Sequence, residues 1–223
     1  MTKIMFVHGQ QSCAGLNRLP NLVLSNNKNP EAMKMIIKKN RFAVLFALAF
    51  FHTPVQAQQN YRLTGTPTIT IAGTSTMHDW TMTSQQAATQ AQFETDAAGQ
   101  LSKVNSIVVT IPAESLKSGK GAMDKNAYNA LKTDKNKDIR FQLANATVNA
   151  GNIIAHGTLT IAGSSKPTEL TVTAKQEANG IRFQGSKKIK MTEFNVEPPS
   201  FMFGSVKTGD EITITFDITL SNK

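Results

Sequence analysis

The stretch Glu211–Leu220, EITITFDITL, carries an apolar residue at every second position near the C-terminus of the 223-residue chain. Successive side chains of a β-strand point to opposite faces. A period of two therefore puts the five apolar residues on one face, and three threonines with an aspartate on the other. The stretch predicts a long strand that is buried on one side and exposed to water on the other.

Six shorter runs with the same alternation precede it, and most of the segments between them are rich in glycine, asparagine or proline. The apolar positions of these runs are Ile69 and Ile71; Ile107, Val109 and Ile111; Ile139, Phe141 and Leu143; Leu159 and Ile161; Leu170, Val172 and Ala174; and Ile181 and Phe183. The intervening segments predict turns at Ala98-Gly99, Asn149–Asn152, Gly163–Pro167, Asn179-Gly180 and Thr208–Asp210.

About eight half-buried strands, mostly antiparallel, form either a sandwich or a barrel. The barrel is favoured because closing the sheet removes its exposed edges. The pattern therefore predicts an all-β fold, an eight-stranded antiparallel barrel with a short helical excursion.

The excursion is the polar segment from residue 115 to residue 138. Asp124 is suited to cap a short helix there, with Ala127, Tyr128 and Leu131 facing inward. A second long excursion, residues 193–207, contains Phe201 and Phe203 beside two prolines. Such excursions usually lie at an open end of a barrel, where functional residues are concentrated.

The N-terminal segment has the three-part pattern of a secretory signal peptide. Four cations between residues 34 and 41 precede the ten-residue apolar run Phe42–Phe51, and the small-residue end Val55-Gln56-Ala57 follows. A membrane-spanning helix needs about 20 apolar residues, so the alternative is a buried helix of the domain. We expect a signal peptide at residues 33–57, cleaved before Gln58, and a mature β-barrel domain at 58–223 in the periplasm or secreted. Residues 1–32 are then a mis-called or unstructured leader.

Most of the net positive charge lies in this N-terminal segment. The chain has 24 basic and 15 acidic residues, and residues 1–57 contain seven of the basic and one of the acidic ones. The remainder has 17 basic and 14 acidic residues, a net charge of +3, which does not indicate a nucleic-acid partner. The single cysteine, Cys13, also lies in the N-terminal segment, so the core alone must hold the mature domain.

The tripeptide His78-Asp79-Trp80 is the one catalytic-looking motif. Neighbouring residues on a strand point to opposite faces, so Asp79 is poorly placed to orient His78 as a base. After residue 57 the only other histidine is His156, which excludes a multi-histidine metal site. Phosphate-loop, nucleophile-elbow and paired-cysteine motifs do not occur. We therefore expect that the protein is not an enzyme and binds neither a metal nor a cofactor. His78 and Asp79 then have structural roles, or Trp80 contributes to a pocket.

Several short motifs, in this order and spacing, resemble the YceI-like family, also called the polyisoprenoid-binding YceI domain. They are Gly73–Trp80, Ile111–Leu116, Met123-Asp124, Ala130–Lys132, Ile139–Phe141, Gly157–Gly163 with Lys166-Pro167, Thr192–Phe194 and Val206–Ile212. The resemblance implies an extended, lipocalin-like barrel around an elongated apolar pocket. It also implies a periplasmic protein that binds long isoprenoid chains such as polyprenyl diphosphates or quinones.

The residues expected to line such a pocket are apolar positions of the strands, the helix and the late excursion. They are Trp80, Phe93, Val109, Leu131, Phe141, Leu143, Leu159, Ile161, Phe183, Phe194, Phe201 and Phe203. The alternative is that these side chains form an ordinary packed core.

A charged head group would stay at the mouth, because burying a diphosphate is very costly. The nearest cations are expected to be Lys132, Lys135 and Lys137, in a cluster that meets a diphosphate or an anionic membrane surface, or is simply solvated. The leading hypothesis is a non-enzymatic lipid-binding protein. Its alternative is a secreted structural or interaction module with a solidly packed barrel.

Overall fold

The computed structural model describes residues 59–201 and 204–222. The expected signal peptide, the leader before it and Phe203 lie outside these residues. Ten strands are present: β1 Gln59–Ser75, β2 Trp80–Ser84, β3 Ala88–Thr95, β4 Leu101–Pro112, β5 Asp138–Asn149, β6 Asn152–Ile161, β7 Ser164–Glu177, β8 Gly180–Lys190, β9 Ser200–Phe201 and β10 Val206–Ser221. The helix α1 spans Gly121–Leu131, and two 3₁₀ turns occupy Ala113–Ser115 and Met191–Phe194.

The sheet closes on itself because the first long strand pairs with the last, β1 with β10, from Arg62↔Ser221 to Ser75↔Thr208. Along its other edge β1 pairs with β3 near its start and with β2 near its end. The short strands β2 and β3 thus occupy a single position in the barrel, and β9 pairs only with the first residues of β10. The predicted closed eight-stranded antiparallel barrel is confirmed.

Tight turns join β5 to β6 at one end of the barrel and β6 to β7 at the other. Both Ala150-Gly151, with φ of 46° and 81°, and Ala162-Gly163, with φ of 49° and 80°, have the paired positive φ values of two-residue hairpin turns. The predicted turn at residues 163–167 was therefore too long, since β7 already begins at Ser164. The predicted turn at 208–210 was wrong, because pairing with β1 and β9 extends β10 back to Val206.

The helix begins four residues earlier than expected, after Lys120, and Asp124 lies within it. The Asp124 carboxylate instead accepts hydrogen bonds from the Ser118 hydroxyl (2.6 Å) and backbone N–H (2.7 Å), which hold the pKa of that carboxyl below its usual range. Ala127 and Leu131 pack against the apolar interior as predicted. Tyr128 does not, because its hydroxyl donates to the Leu116 carbonyl at 2.7 Å.

An ion pair lies on the face of the barrel opposite the core. Arg182 of β8 donates from Nε and Nη2 to both carboxylate oxygens of Asp217 on β10, at 2.8 and 2.5 Å. These hydrogen bonds lower the pKa of the Asp217 carboxyl.

The interior has two apolar clusters. One contains Tyr61, Phe93, Phe183 and Leu220, and the other contains Leu116, Ile189, Phe194 and Ile212 together with the inner side of α1. We call the first the packed end and the second the open end. Among the residues described, no helix is long and apolar enough to cross a membrane.

Candidate functional site

The barrel encloses an apolar cavity in two chambers. The outer chamber, about 370 Å³, lies at the open end beneath α1. The inner chamber, about 130 Å³, lies deeper, toward the packed end. Four isoleucines line both and form a waist between them: Ile69, Ile111, Ile139 and Ile214. The barrel is therefore not filled by side chains along its whole length.

Every predicted pocket residue that the structure describes lines one of the chambers. The outer chamber is lined by Trp80, Leu131, Ile161, Phe194 and Phe201. The inner chamber is lined by Phe93, Val109, Phe141, Leu143, Leu159 and Phe183. Only Phe203 lies outside the described residues, so it has no assigned place.

Trp80 is the only tryptophan of the chain and forms part of the outer wall. Its indole N–H donates to the Thr74 carbonyl at 3.0 Å, which fixes the ring. Gly73, directly opposite on β1, leaves room for the ring, since a Cβ there would collide with the indole. The ring thus reports on the outer chamber from a fixed position.

Aromatic side chains close the inner chamber at the packed end. The ring of Phe93, 0% exposed, lies 4.8 Å from that of Tyr61 and 5.3 Å from that of Phe183, between centroids. These tilted contacts are the usual geometry of packed aromatic pairs. The cavity therefore has a floor of aromatic rings at the packed end, and its outer chamber opens at the other end.

Four polar residues and Met77 lie at the mouth, on what we call the rim: Ser75, Met77, His78, Lys120 and Asn126. Met77 is 67% exposed although it is apolar. The Ser75 hydroxyl donates to the His78 carbonyl at 2.8 Å and accepts from the backbone N–H groups of Met77 and His78, at 3.2 Å each. The rim turn is therefore held by its own hydrogen bonds.

The predicted head-group lysines lie elsewhere. Lys132, Lys135 and Lys137 are exposed and line neither chamber. The lysine that does reach the rim is Lys120, which directly precedes α1.

His78 and Asp79 lie in the turn between β1 and β2, so the expectation that they occupy a strand was wrong. The His78 Nδ1 atom contacts the backbone oxygen of Asp79 at 2.8 Å. No hydrogen bond joins the imidazole to the Asp79 carboxylate in the described chain, so the pair is not arranged as a catalytic dyad. Within residues 59–201 and 204–222, no three histidine, cysteine or acidic side chains gather where they would hold a metal.

Sequence analysis missed one charged residue, Lys187, which lines the inner chamber. The signal that would have found it is the period of two, continued from Ile181 and Phe183 through Gly185 to Ile189. That continuation places Lys187 on the inward face, although the surrounding sequence is polar.

Comparison with known proteins identifies the fold and the family. The family model described as the YceI-like domain matches residues 66–220, more than half of the chain. Among solved structures, Burkholderia cenocepacia BcnA shares 18% identity, with 70% of this chain and 96% of that one covered and a TM-score of 0.58. A polyisoprenoid binding domain from Saccharophagus degradans, implicated in plant cell wall breakdown, shares 12% identity, with 72% and 97% covered and a TM-score of 0.55. No curated protein matches the chain. At these identities the two structures establish the fold alone.

Proposed function

The chain belongs to the YceI-like family, a family of binding domains, and from that membership and the cavity we propose that it is a non-enzymatic lipid carrier. It holds one long apolar chain of isoprenoid type, with the chain's end in the inner chamber and its remainder in the outer chamber. The proposal includes export by an N-terminal signal peptide, so that the protein acts in the periplasm or is secreted.

The observation that carries the proposal is the cavity itself, which has apolar walls and opens at the end where α1 lies. Its outer chamber alone falls within the usual 300–1,000 Å³ range of ligand pockets. A chain threaded through the isoleucine waist gains about 0.8 kcal/mol for each methylene group removed from water. Affinity then comes from the tail, and the polar rim leaves a head group in contact with water.

Shape and family together support the ligand class. Two chambers joined at a shared ring of isoleucines suit a single flexible chain better than a compact ring system. The related Saccharophagus degradans domain is described as polyisoprenoid binding, and an isoprenoid chain fits this elongated form. Polyprenyl diphosphates and quinones share such a chain and differ at the head.

The direct test is extraction of protein purified without detergent from its native envelope, followed by mass spectrometry of the organic phase. We expect one apolar lipid per protein. Protein that is free of lipid, and that also fails to bind added polyprenol, would refute the proposal.

Trp80 fluorescence provides a second test, because the ring lines the outer chamber. Ile214→Phe adds bulk at the waist and should weaken binding of a long prenol while a short one, held in the outer chamber, binds as before. Ile154→Phe is the matched control, since Ile154 is 45% exposed and lines neither chamber. Equal losses for both chain lengths would contradict passage through the waist.

A further inference from the structure

Met77 is the most exposed large apolar side chain of the described residues, and Ile154 is the other exposed one. The backbone that carries Met77 is held firmly. Its N–H donates to the Ser75 hydroxyl, and the Thr76 N–H donates to the Lys207 carbonyl at 3.0 Å. The Lys207 N–H in turn donates to the Thr76 hydroxyl at 3.1 Å. The turn between β1 and β2 therefore presents Met77 to solvent from a fixed backbone.

Apolar residues from two other segments lie around the same opening. Ala122, at the start of α1, is exposed and lines the outer chamber, as Met77 does. Phe201 and Val206 are half-buried, line the same chamber and pair with each other across β9 and β10, beside Lys207, which bonds to the turn. A single exposed apolar side chain is ordinary, but a group of them around a cavity mouth indicates an interaction surface. We call Met77, Ala122, Phe201 and Val206 the mouth patch.

The charge at this opening is positive. Among the described residues that line the outer chamber, Lys120 is the one with a permanent charge, and none is a carboxylate. Asp79 and Glu197 are close to the mouth in sequence but line neither chamber. Asp124 is buried, and its carboxylate is held by Ser118. An exposed lysine beside apolar side chains suits the surface of an anionic bilayer, where phosphate groups cover the acyl chains.

We propose that the mouth patch docks on the surface of an anionic lipid bilayer, with Met77 inserted and Lys120 against the phosphate layer. This rests on the proposed function and names the partner of the same site. An apolar chain then passes between bilayer and cavity without crossing water, where it would lose the gain that burial supplies. The docked orientation also keeps the head group of the bound chain at the rim, beside the phosphate layer. Buried apolar surface and attraction to anionic lipids are the two contributions to such interfacial binding.

The test is sedimentation of protein from its native envelope with vesicles of phosphatidylcholine, alone or mixed with anionic phosphatidylglycerol. Met77→Ser should bind both kinds of vesicle about tenfold more weakly, because it removes an inserted apolar side chain. Lys120→Ser should lose about fivefold on the anionic vesicles only, and high salt should abolish this difference. Ile154→Ser is the matched control, since it removes the other exposed apolar side chain, away from both chambers, and should change neither.

A gain of binding separates docking from damage to the fold. Met77→Trp should bind vesicles more tightly than the wild type, because the indole prefers the membrane interface, whereas Ile154→Trp should not. Wild-type protein that sediments with neither vesicle, or equal gains for the two tryptophan variants, would overturn the docking surface.

The basic cluster beyond α1 provides the remaining contrast. Loss of binding in the triple variant Lys132→Ala, Lys135→Ala and Lys137→Ala, with Met77→Ser unchanged, would move the contact from the mouth to that cluster and overturn the inference. Lipid extracted from the same protein is a separate measurement. If it is present, the carrier stands even when docking fails; protein that is free of lipid and does not bind added polyprenol overturns the proposed function as well.

Discussion

Replacing Phe93 by alanine tests whether the aromatic floor sets the length of the bound chain. Phe93 is fully buried between Tyr61 and Phe183 and also lines the inner chamber. Truncation therefore has two effects in one place: it removes packed surface from the core, and it extends the chamber into the space that the ring held.

The first effect is a loss of stability. Truncation of a buried phenylalanine to alanine costs about 3–5 kcal/mol, which in a domain of this size lowers Tm by roughly 6–20 °C. Domains are usually stable by about 5–15 kcal/mol, so we expect a folded but weaker protein. The second effect is on ligands: each methylene that enters the new space adds about 0.8 kcal/mol, so two more tighten binding by roughly tenfold.

The assay is thermal unfolding with and without ligand, combined with Trp80 titration against straight-chain alcohols of increasing length. Phe93→Ala should prefer a longer alcohol than the wild type, and that alcohol should recover part of the lost Tm, because a ligand stabilises the folded state it binds. Ile154→Ala, on the exposed outer face, should change neither quantity. A destabilised variant with an unchanged chain-length preference would show that the chain does not reach the inner chamber.

Three further predictions concern packing, pH and export. Gly157→Ala should destabilise the protein by about 1–3 kcal/mol in thermal unfolding, because a Cβ would lie 2.5 Å from the ring of Phe141 and from a backbone oxygen. Asp217→Asn should lower Tm at neutral pH but not at acid pH. The lowered pKa of Asp217 means that its stabilising contribution is complete above the unfolded value of about 3.9 and is lost as pH falls through the folded one. Intact-mass measurement of envelope protein should give a chain that begins at Gln58.

Each of these has a control or a contrary result. Gly121→Ala, where a Cβ would meet nothing within 4 Å, should be neutral or slightly stabilising. If the Tm difference between the wild type and Asp217→Asn stays constant below pH 3, loss of the Arg182 ion pair is not its cause. A mature chain that retains Phe42–Phe51 would refute export by cleavage.

The strands were predictable because their signal is local. In β10, the alternation from Ile212 to Leu220 is enough to assign each apolar residue to the inner face, and the neighbouring strands need not be known. The turn at Ala150-Gly151 is equally local, since a glycine in that position permits positive φ. The apparent turn at 208–210 was misleading because its pairing partner, Ser75 of β1, is distant in sequence.

The pocket residues were predictable as inward-facing positions, but their grouping into two chambers was not. Whether Ile111 and Ile214 touch across a barrel or leave a passage depends on its radius and stagger, which no single strand encodes. Lys187 was missed because its polar neighbours ended the predicted strand too early.

Pairs of glycine and aromatic residues explain how an interior rich in phenylalanine still contains a cavity. Gly185 stands opposite Phe216 and Gly73 opposite Trp80, whereas Gly157 pairs with Leu143 and lies diagonal to Phe141. A Cβ at each glycine would lie 2.4 to 2.5 Å from the ring. In each case the ring lies over a glycine of the adjacent strand and so packs against the wall of the barrel. The rings thereby supply apolar surface and cross-strand packing without filling the centre. A core selected for packing alone would place side chains there, because an unfilled apolar space of this size is a cost to stability, and a ligand that occupies it removes that cost.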